Sequence, residues 1–199
     1  MTPMPRVILV SFLVLLAAVA VVLAASPALE LVTDGRRALD ADRIDEAIAL
    51  FERAVAADAK EPAALAWLGS AQVRKAGKVP PMDGAAWVKK GFNTLDEAVE
   101  LFPNAFVVYL VRGITARSVP EMFNKSNVAV GDLRTVVTMR EKNPPSVPES
   151  VMPTVFLNLG HAYKKSGKTA EARATWELAR KTFPTAPETK AIENELRRL

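Results

Sequence analysis

The sequence predicts an all-α protein: a right-handed solenoid of about four helix pairs, closed by a short C-terminal helix and preceded by one apolar N-terminal helix. Three observations lead there. In Phe156–Pro184, FLNLGHAYKKSGKTAEARATWELARKTFP, bulky and small residues alternate at helical spacing on either side of a glycine turn. The same pattern recurs towards the N-terminus, with unit starts near residues 28 and 62, which are 34 residues apart. Beyond Pro184, Ile192, Leu196 and Leu199 form the apolar stripe of a closing helix, with Lys190, Glu193, Glu195, Arg197 and Arg198 facing water. A helix pair alone leaves one side uncovered, so such units must stack and the last one needs a polar-backed end piece.

The first element is Val7–Ala25, VILVSFLVLLAAVAVVLAA, 19 residues without a charge and preceded by Arg6. As a helix it is about 28 Å long, close to the hydrocarbon thickness of a bilayer. The run exceeds the apolar core of a typical signal peptide, and the small-residue cut sites are imperfect: Val22 stands two residues before Ala24, and Leu23 two before Ala25. A single-pass membrane anchor over residues 1–26 is therefore expected, with the C-terminal domain on the exported (periplasmic or extracytoplasmic) side; the alternative is secretion after signal cleavage. Pro27 separates this segment from the helical domain, 28–199.

The units are expected at about 28–59, 62–105, 106–142 and 153–184, with the cap at 185–199. In the first, helices over 28–41 and 44–57 flank a turn at Asp42–Arg43, and Ala47, Phe51 and Ala54 share one face. In the second, Leu65, Leu68 and Gly69 correspond to Phe156, Leu159 and Gly160, and Leu95, Ala98 and Pro103 to Trp176, Ala179 and Pro184. About ten extra residues around Lys78–Trp87 separate its helices, with Pro80 and Pro81 stopping the first and Asp83 placed to cap the second. The third unit carries Tyr109, Gly113, Ala116, Ala129, Leu133 and Val136, and an insertion of about four residues near Val119–Asn127. A Pro-rich linker, Asn143–Pro153, leads into the fourth. Thr185 with Glu188 has the form of a capping box for the closing helix.

Composition bounds the chemistry. Half of the 199 residues are apolar, enough for a sizeable core. The absence of cysteine excludes disulfides, thiolate metal sites and a cysteine nucleophile, and a single histidine gives no His-based metal site or proton relay. The net charge of +4 comes from 26 basic and 22 acidic residues, interspersed with no basic run longer than a pair, so no nucleic-acid partner is expected. No glycine-rich phosphate loop occurs, and Asp96, Glu97 and Glu100 read as a helix's wet face. The expectation is a protein without enzymatic activity, cofactor or metal.

The repeat residues resemble the tetratricopeptide repeat, a 34-residue helix–turn–helix unit, over about residues 28–184. The fourth unit matches closely and the third is degenerate. The resemblance implies protein binding, of a peptide or helix, in a concave groove lined by the first helix of each unit. The groove-facing residues would be Arg36; then Trp67, Ser70 and Arg74; then Leu110, Ile114 and Arg117; then Leu157, His161, Lys164 and Lys165. This mixture is apolar and basic, so a partner segment with acidic and apolar side chains complements it. The implied role is an adaptor or scaffold displayed at a membrane, for instance in envelope assembly. The rival reading is a carrier of a small apolar ligand, enclosed by the two insertions with Met82, Trp87, Met122 and Phe123 as lining. The partner, the pathway and the oligomeric state are left open by the sequence.

Overall fold

The computed structural model describes residues 26–199, so the expected N-terminal anchor lies outside the described residues. Nine α-helices follow in order: α1 Pro27–Asp40, α2 Ile44–Ala57, α3 Pro62–Lys75, α4 Pro81–Leu101, α5 Phe106–Ser118, α6 Ser126–Lys142, α7 Met152–Lys165, α8 Thr169–Thr182 and α9 Thr189–Arg197. Short 3-10 turns lie at Ala76–Lys78, Glu121–Phe123, Pro144–Ser146 and Glu149–Val151. Consecutive helices pair as α1/α2, α3/α4, α5/α6 and α7/α8, with α9 packed on α8. No helix among the described residues is long and apolar enough to cross a membrane.

The pairing follows from where the bulky residues fall. Phe51, Leu95, Leu133 and Trp176, one on each second helix, are all fully buried. Each lies against the glycine of its partner helix: Gly35, Gly69, Gly113 and Gly160. The first helices also touch one another in sequence, α1 with α3, α3 with α5 and α5 with α7, whereas no such packing joins α2 to α4, α4 to α6 or α6 to α8. A row of helices in mutual contact on one side, with splayed helices on the other, places α1, α3, α5 and α7 on the inner face of the array.

The turns show how tightly each pair closes. Gly167, between α7 and α8, has φ +72°, and the Lys168 amide donates to the Tyr163 carbonyl at 2.9 Å. Asp42 takes the same left-handed place in the first unit at φ 59°, with the Arg43 amide bonded to the Ala38 carbonyl at 2.8 Å. A non-glycine residue tolerates this conformation best when its side chain is short and polar. The Asp42 carboxylate is held by Lys78, whose hydrogen bond keeps it below its usual pKa.

The insertions are built differently from expectation. The extra residues of the second unit do not form a loop between its helices. They lengthen α4 to 21 residues, against 14 in α2 and α8, with Pro81 in its first turn. Proline lacks the amide that a first-turn residue would leave unpaired, so Pro81, expected to stop α3, instead starts α4. Asp83 accordingly sits inside the first turn of α4 and not at its cap. The third unit's insertion is the turn Val119–Lys125, with Asn124 left-handed and Phe123 packed on the central core.

The Pro-rich linker is anchored. Val147 is fully buried with Met152 and Val155, and Arg140 donates to the Val147 carbonyl at 2.9 Å. The expected capping box is absent. Residues 184–188 form turns, the Thr189 hydroxyl donates to the Phe183 carbonyl at 2.7 Å, and the Glu188 carboxylate accepts from Thr154 of α7. Glu188 thus ties the cap to the last unit and is not available to its own helix start.

Candidate functional site

The inner face carries most of the residues expected to line a groove, but several are already engaged within the chain. Arg36, exposed on α1, lies over the Trp67 ring at 5.0 Å, and Trp67 stacks on Phe51 with centroids 6.5 Å apart. Trp67 is half-buried, so one part of its ring serves the first unit's core and the rest faces Arg36. Arg74 is exposed, 3.9 Å from Asp42. Leu110, Ile114 and Leu157 are half-buried and form the apolar floor.

Ser70 does not line the groove. It is 8% exposed and accepts a hydrogen bond from the Thr115 hydroxyl at 3.0 Å, in the contact between α3 and α5. A hydroxyl at this close helix–helix contact is spent on its neighbour. Lys165 is likewise committed: its ammonium donates to the Arg117 carbonyl at 2.8 Å and to the Val119 carbonyl, closing the C-terminus of α5. The end of α5 holds unpaired carbonyls and partial negative charge, which an ammonium satisfies. Lys164 pairs with Glu195 of α9 at 2.9 Å. Glu195, expected to face water, has a side chain only 15% exposed, and the Lys164 hydrogen bond holds its carboxyl below the usual range.

Arg117 differs from its neighbours. Its Nε donates to the Asn158 Oδ1 at 3.1 Å, while the Asn158 amide nitrogen donates to the Thr154 carbonyl at 2.8 Å. No carboxylate among the described residues pairs with it, and burial pulls its pKa down without an opposing anion. His161 stands beside it, edge-on to Trp176 at 5.3 Å. Burial, then the charges of Arg117 and Lys164, lowers the His161 pKa against the pull of Glu195.

The lowered His161 pKa makes stability pH-dependent. The unfolded chain takes up this proton near pH 6.5, at which the folded protein still resists it. Stability contributed by the neutral ring is present above that value and is lost as pH falls below it. Because this is the single histidine, chemical denaturation at about pH 7.5 and about pH 5.5 is expected to show a stability loss at the lower pH that His161→Gln removes. An equal loss in the variant would place the effect elsewhere.

Sequence reasoning missed one cluster. Arg112 of α5 forms a two-pronged bond to Asp132 of α6, Nε–Oδ2 2.8 Å and Nη2–Oδ1 2.8 Å, and its Nη1 reaches Asp96 of α4 at 2.8 Å. Asp96 is therefore not simply part of a wet face. The Asp132 hydrogen bonds raise the Arg112 pKa and fix its charge. The signal was in the register: Arg112 directly precedes Gly113, where Leu68 and Leu159 directly precede Gly69 and Gly160.

The insertions do not enclose a ligand. Met82 and Met122 are 93% and 80% exposed, so they wall no closed pocket. Trp87 packs on the first unit's core and Phe123 on the central core. Among the described residues, no group of acidic or histidine side chains is arranged to hold a metal ion.

This architecture defines a class: an all-helical solenoid of the tetratricopeptide type, whose inner face is built from the first helix of each pair. Residues 33–90 match the tetratricopeptide repeat family. No curated protein matches the chain in sequence. Among solved structures the chain is similar to a thermophilic TPR protein of Thermus thermophilus, at 17% identity and TM-score 0.52, over 86% of this chain and all (100%) of that one. It is also similar to MamA of MSR-1, at 22% identity and TM-score 0.51, over 86% of this chain and 91% of that one. At these identities the likeness is one of fold.

Proposed function

We propose that the protein is a non-enzymatic adaptor that binds an acidic and apolar segment of a partner protein along its inner face. Helical-repeat arrays present extended concave surfaces, and their usual work is protein interaction. The observation that carries the reading is Arg117, a half-buried cation with no carboxylate partner among the described residues, set beside the apolar Ile114 and Leu157. Burying a guanidinium without an anion is unfavourable, and a carboxylate from outside would offset that cost. Arg36, exposed over Trp67, extends the same preference towards the first unit. The apolar run of residues 7–25 supports display of this array at a membrane on the exported side, where tethering raises the local concentration of partners such as envelope components.

The test is a photo-crosslinking amino acid placed in cells at Leu157 or Ile114, with the outward Arg134 of α6 as control. Crosslinks to a common protein are expected from the inner positions alone, through a segment with acidic side chains, and Arg117→Gln is expected to weaken that binding about tenfold. Equal crosslinking from Arg134, or binding unmoved by Arg117→Gln, would overturn the assignment. Arg117→Gln is the cleaner probe because changes at Lys164 or Lys165 also release Glu195 or the end of α5.

A further inference from the structure

The two ends of the array carry opposite charge. Residues 26–59 hold eight acidic and four basic side chains, whereas residues 153–199 hold nine basic and five acidic. The asymmetry has a structural counterpart at each end.

At the C-terminal end, Arg173, Glu177 and Arg180 of α8 face Glu193, Leu196 and Arg197 of α9 across an open hollow of about 360 Å³. Among the described residues, none of these five charged groups is in an ion pair with another. The earlier junction shows what such a place normally holds. Asp96 follows Leu95 on α4 as Glu177 follows Trp176 on α8. There Arg112 of α5 bridges Asp96 of α4 and Asp132 of α6, the second helix of the next unit. Among the described residues no second helix follows α9, so the hollow beside it lacks the group that Asp132 supplies at the earlier junction.

At the other end, α1 presents Leu29, Glu30, Thr33, Asp34 and Arg37 around an open hollow of about 450 Å³. Leu29 is 45% exposed. This face offers two carboxylates, one guanidinium and one leucine; Asp34 and Arg37 pair with each other at 2.7 Å, an exposed bond that docking exchanges for the groups of the α8–α9 hollow. The seat between α8 and α9 offers three guanidiniums, two carboxylates and the edge of Leu196.

We propose that the α1 face of one copy docks in the α8–α9 seat of a second copy, so that the protein associates head to tail. Glu30 and Asp34 meet the arginines of the seat, Arg37 meets its glutamates, and Leu29 covers Leu196. The contact is heterologous, so repetition extends a chain of copies or closes a ring, in contrast to a two-fold dimer. Its charges are exposed, which makes the association weak and dependent on salt. Arg36, Arg117 and His161 are not among the residues lining either face.

The absence of native cysteine allows a direct test with the full chain in detergent micelles. Copies carrying Thr33→Cys and copies carrying Glu177→Cys are mixed and treated with a short bismaleimide. Crosslinked dimers are expected from the mixture and not from either variant alone, and the chain carrying both substitutions is expected to give a ladder. Raising salt to about 1 M, where the screening length falls to roughly 3 Å, is expected to cut the yield about fivefold or more. Arg173→Glu with Arg180→Glu in the seat copy is expected to abolish the product. Glu30→Arg with Asp34→Arg in the other copy is expected to restore it, which also shows that both variants are folded. Dimers of equal yield from one variant alone, or a yield unmoved by charge reversal, would overturn the proposal.

Discussion

Replacing Arg112 with leucine is expected to lower the unfolding free energy by about 3–5 kcal/mol, although leucine is the residue at the same place in the second and fourth units. Consensus reasoning alone expects the opposite sign. The cost arises because burial already raises the Asp132 pKa against the pull of Arg112, and its carboxyl, with a side chain 7% exposed, is then left in the interior with both guanidinium bonds gone. Arg112→Leu combined with Asp132→Leu is expected to recover most of the loss, since the two buried charges leave together and apolar groups replace them. Asp96 is more exposed, at 49%, and Asp96→Ala is expected to cost about 1 kcal/mol or less. Urea denaturation followed by circular dichroism reads all four proteins. If the double variant is as unstable as Arg112→Leu, the cluster is not held by its ion pair.

The second large effect is expected where Trp176 of α8 lies against Gly160 of α7. A Cβ at residue 160 would lie 2.1 Å from Trp176 Nε1 and 2.3 Å from its Cε2. Trp176 is fully buried, and its indole nitrogen donates to the Leu157 carbonyl at 3.1 Å, so the ring has little freedom to retreat. Gly160→Ala is expected to cost about 2–3 kcal/mol through overpacking, despite alanine's better helix propensity. In a Trp176→Leu background the same change is expected to cost less than about 1 kcal/mol, because the atoms it meets are gone. Gly131→Ala is the control. It lies on exposed α6 surface with nothing within 4 Å of its built Cβ, and a gain of about 0.5–1 kcal/mol is expected there. Additive losses at 160 and 176 would refute the close-approach account.

These two sites show unequal legibility. The Gly160–Trp176 contact was readable because a small residue and a bulky one recur at helical spacing in several units. The Arg112 cluster breaks that pattern, and nothing local announces that Asp96 and Asp132, 36 residues apart, converge on one guanidinium. The candidate groove was legible as a set of first-helix positions. Which of its polar groups are free was not: Lys164 is taken by Glu195, Lys165 by the end of α5, and Ser70 by Thr115. Each of these partners lies 31 to 48 residues away in the chain.

The all-helical repeat, its helix pairs and the residues of their cores follow from the amino-acid order alone. Periodicity and the alternation of large and small side chains act within one or two helices, so local pattern carries that information. How the departures from the repeat are used emerges only when the helices pack. Packing made the second insertion two extra turns of α4, since Pro81 can begin a helix as readily as it ends one. It spent some of the basic residues on caps and ion pairs and left Arg117 without an anion among the described residues. It also placed the acidic and basic ends of the chain at opposite ends of the array. Those outcomes depend on which distant groups meet, and charge and hydrogen-bond satisfaction are settled only when they do.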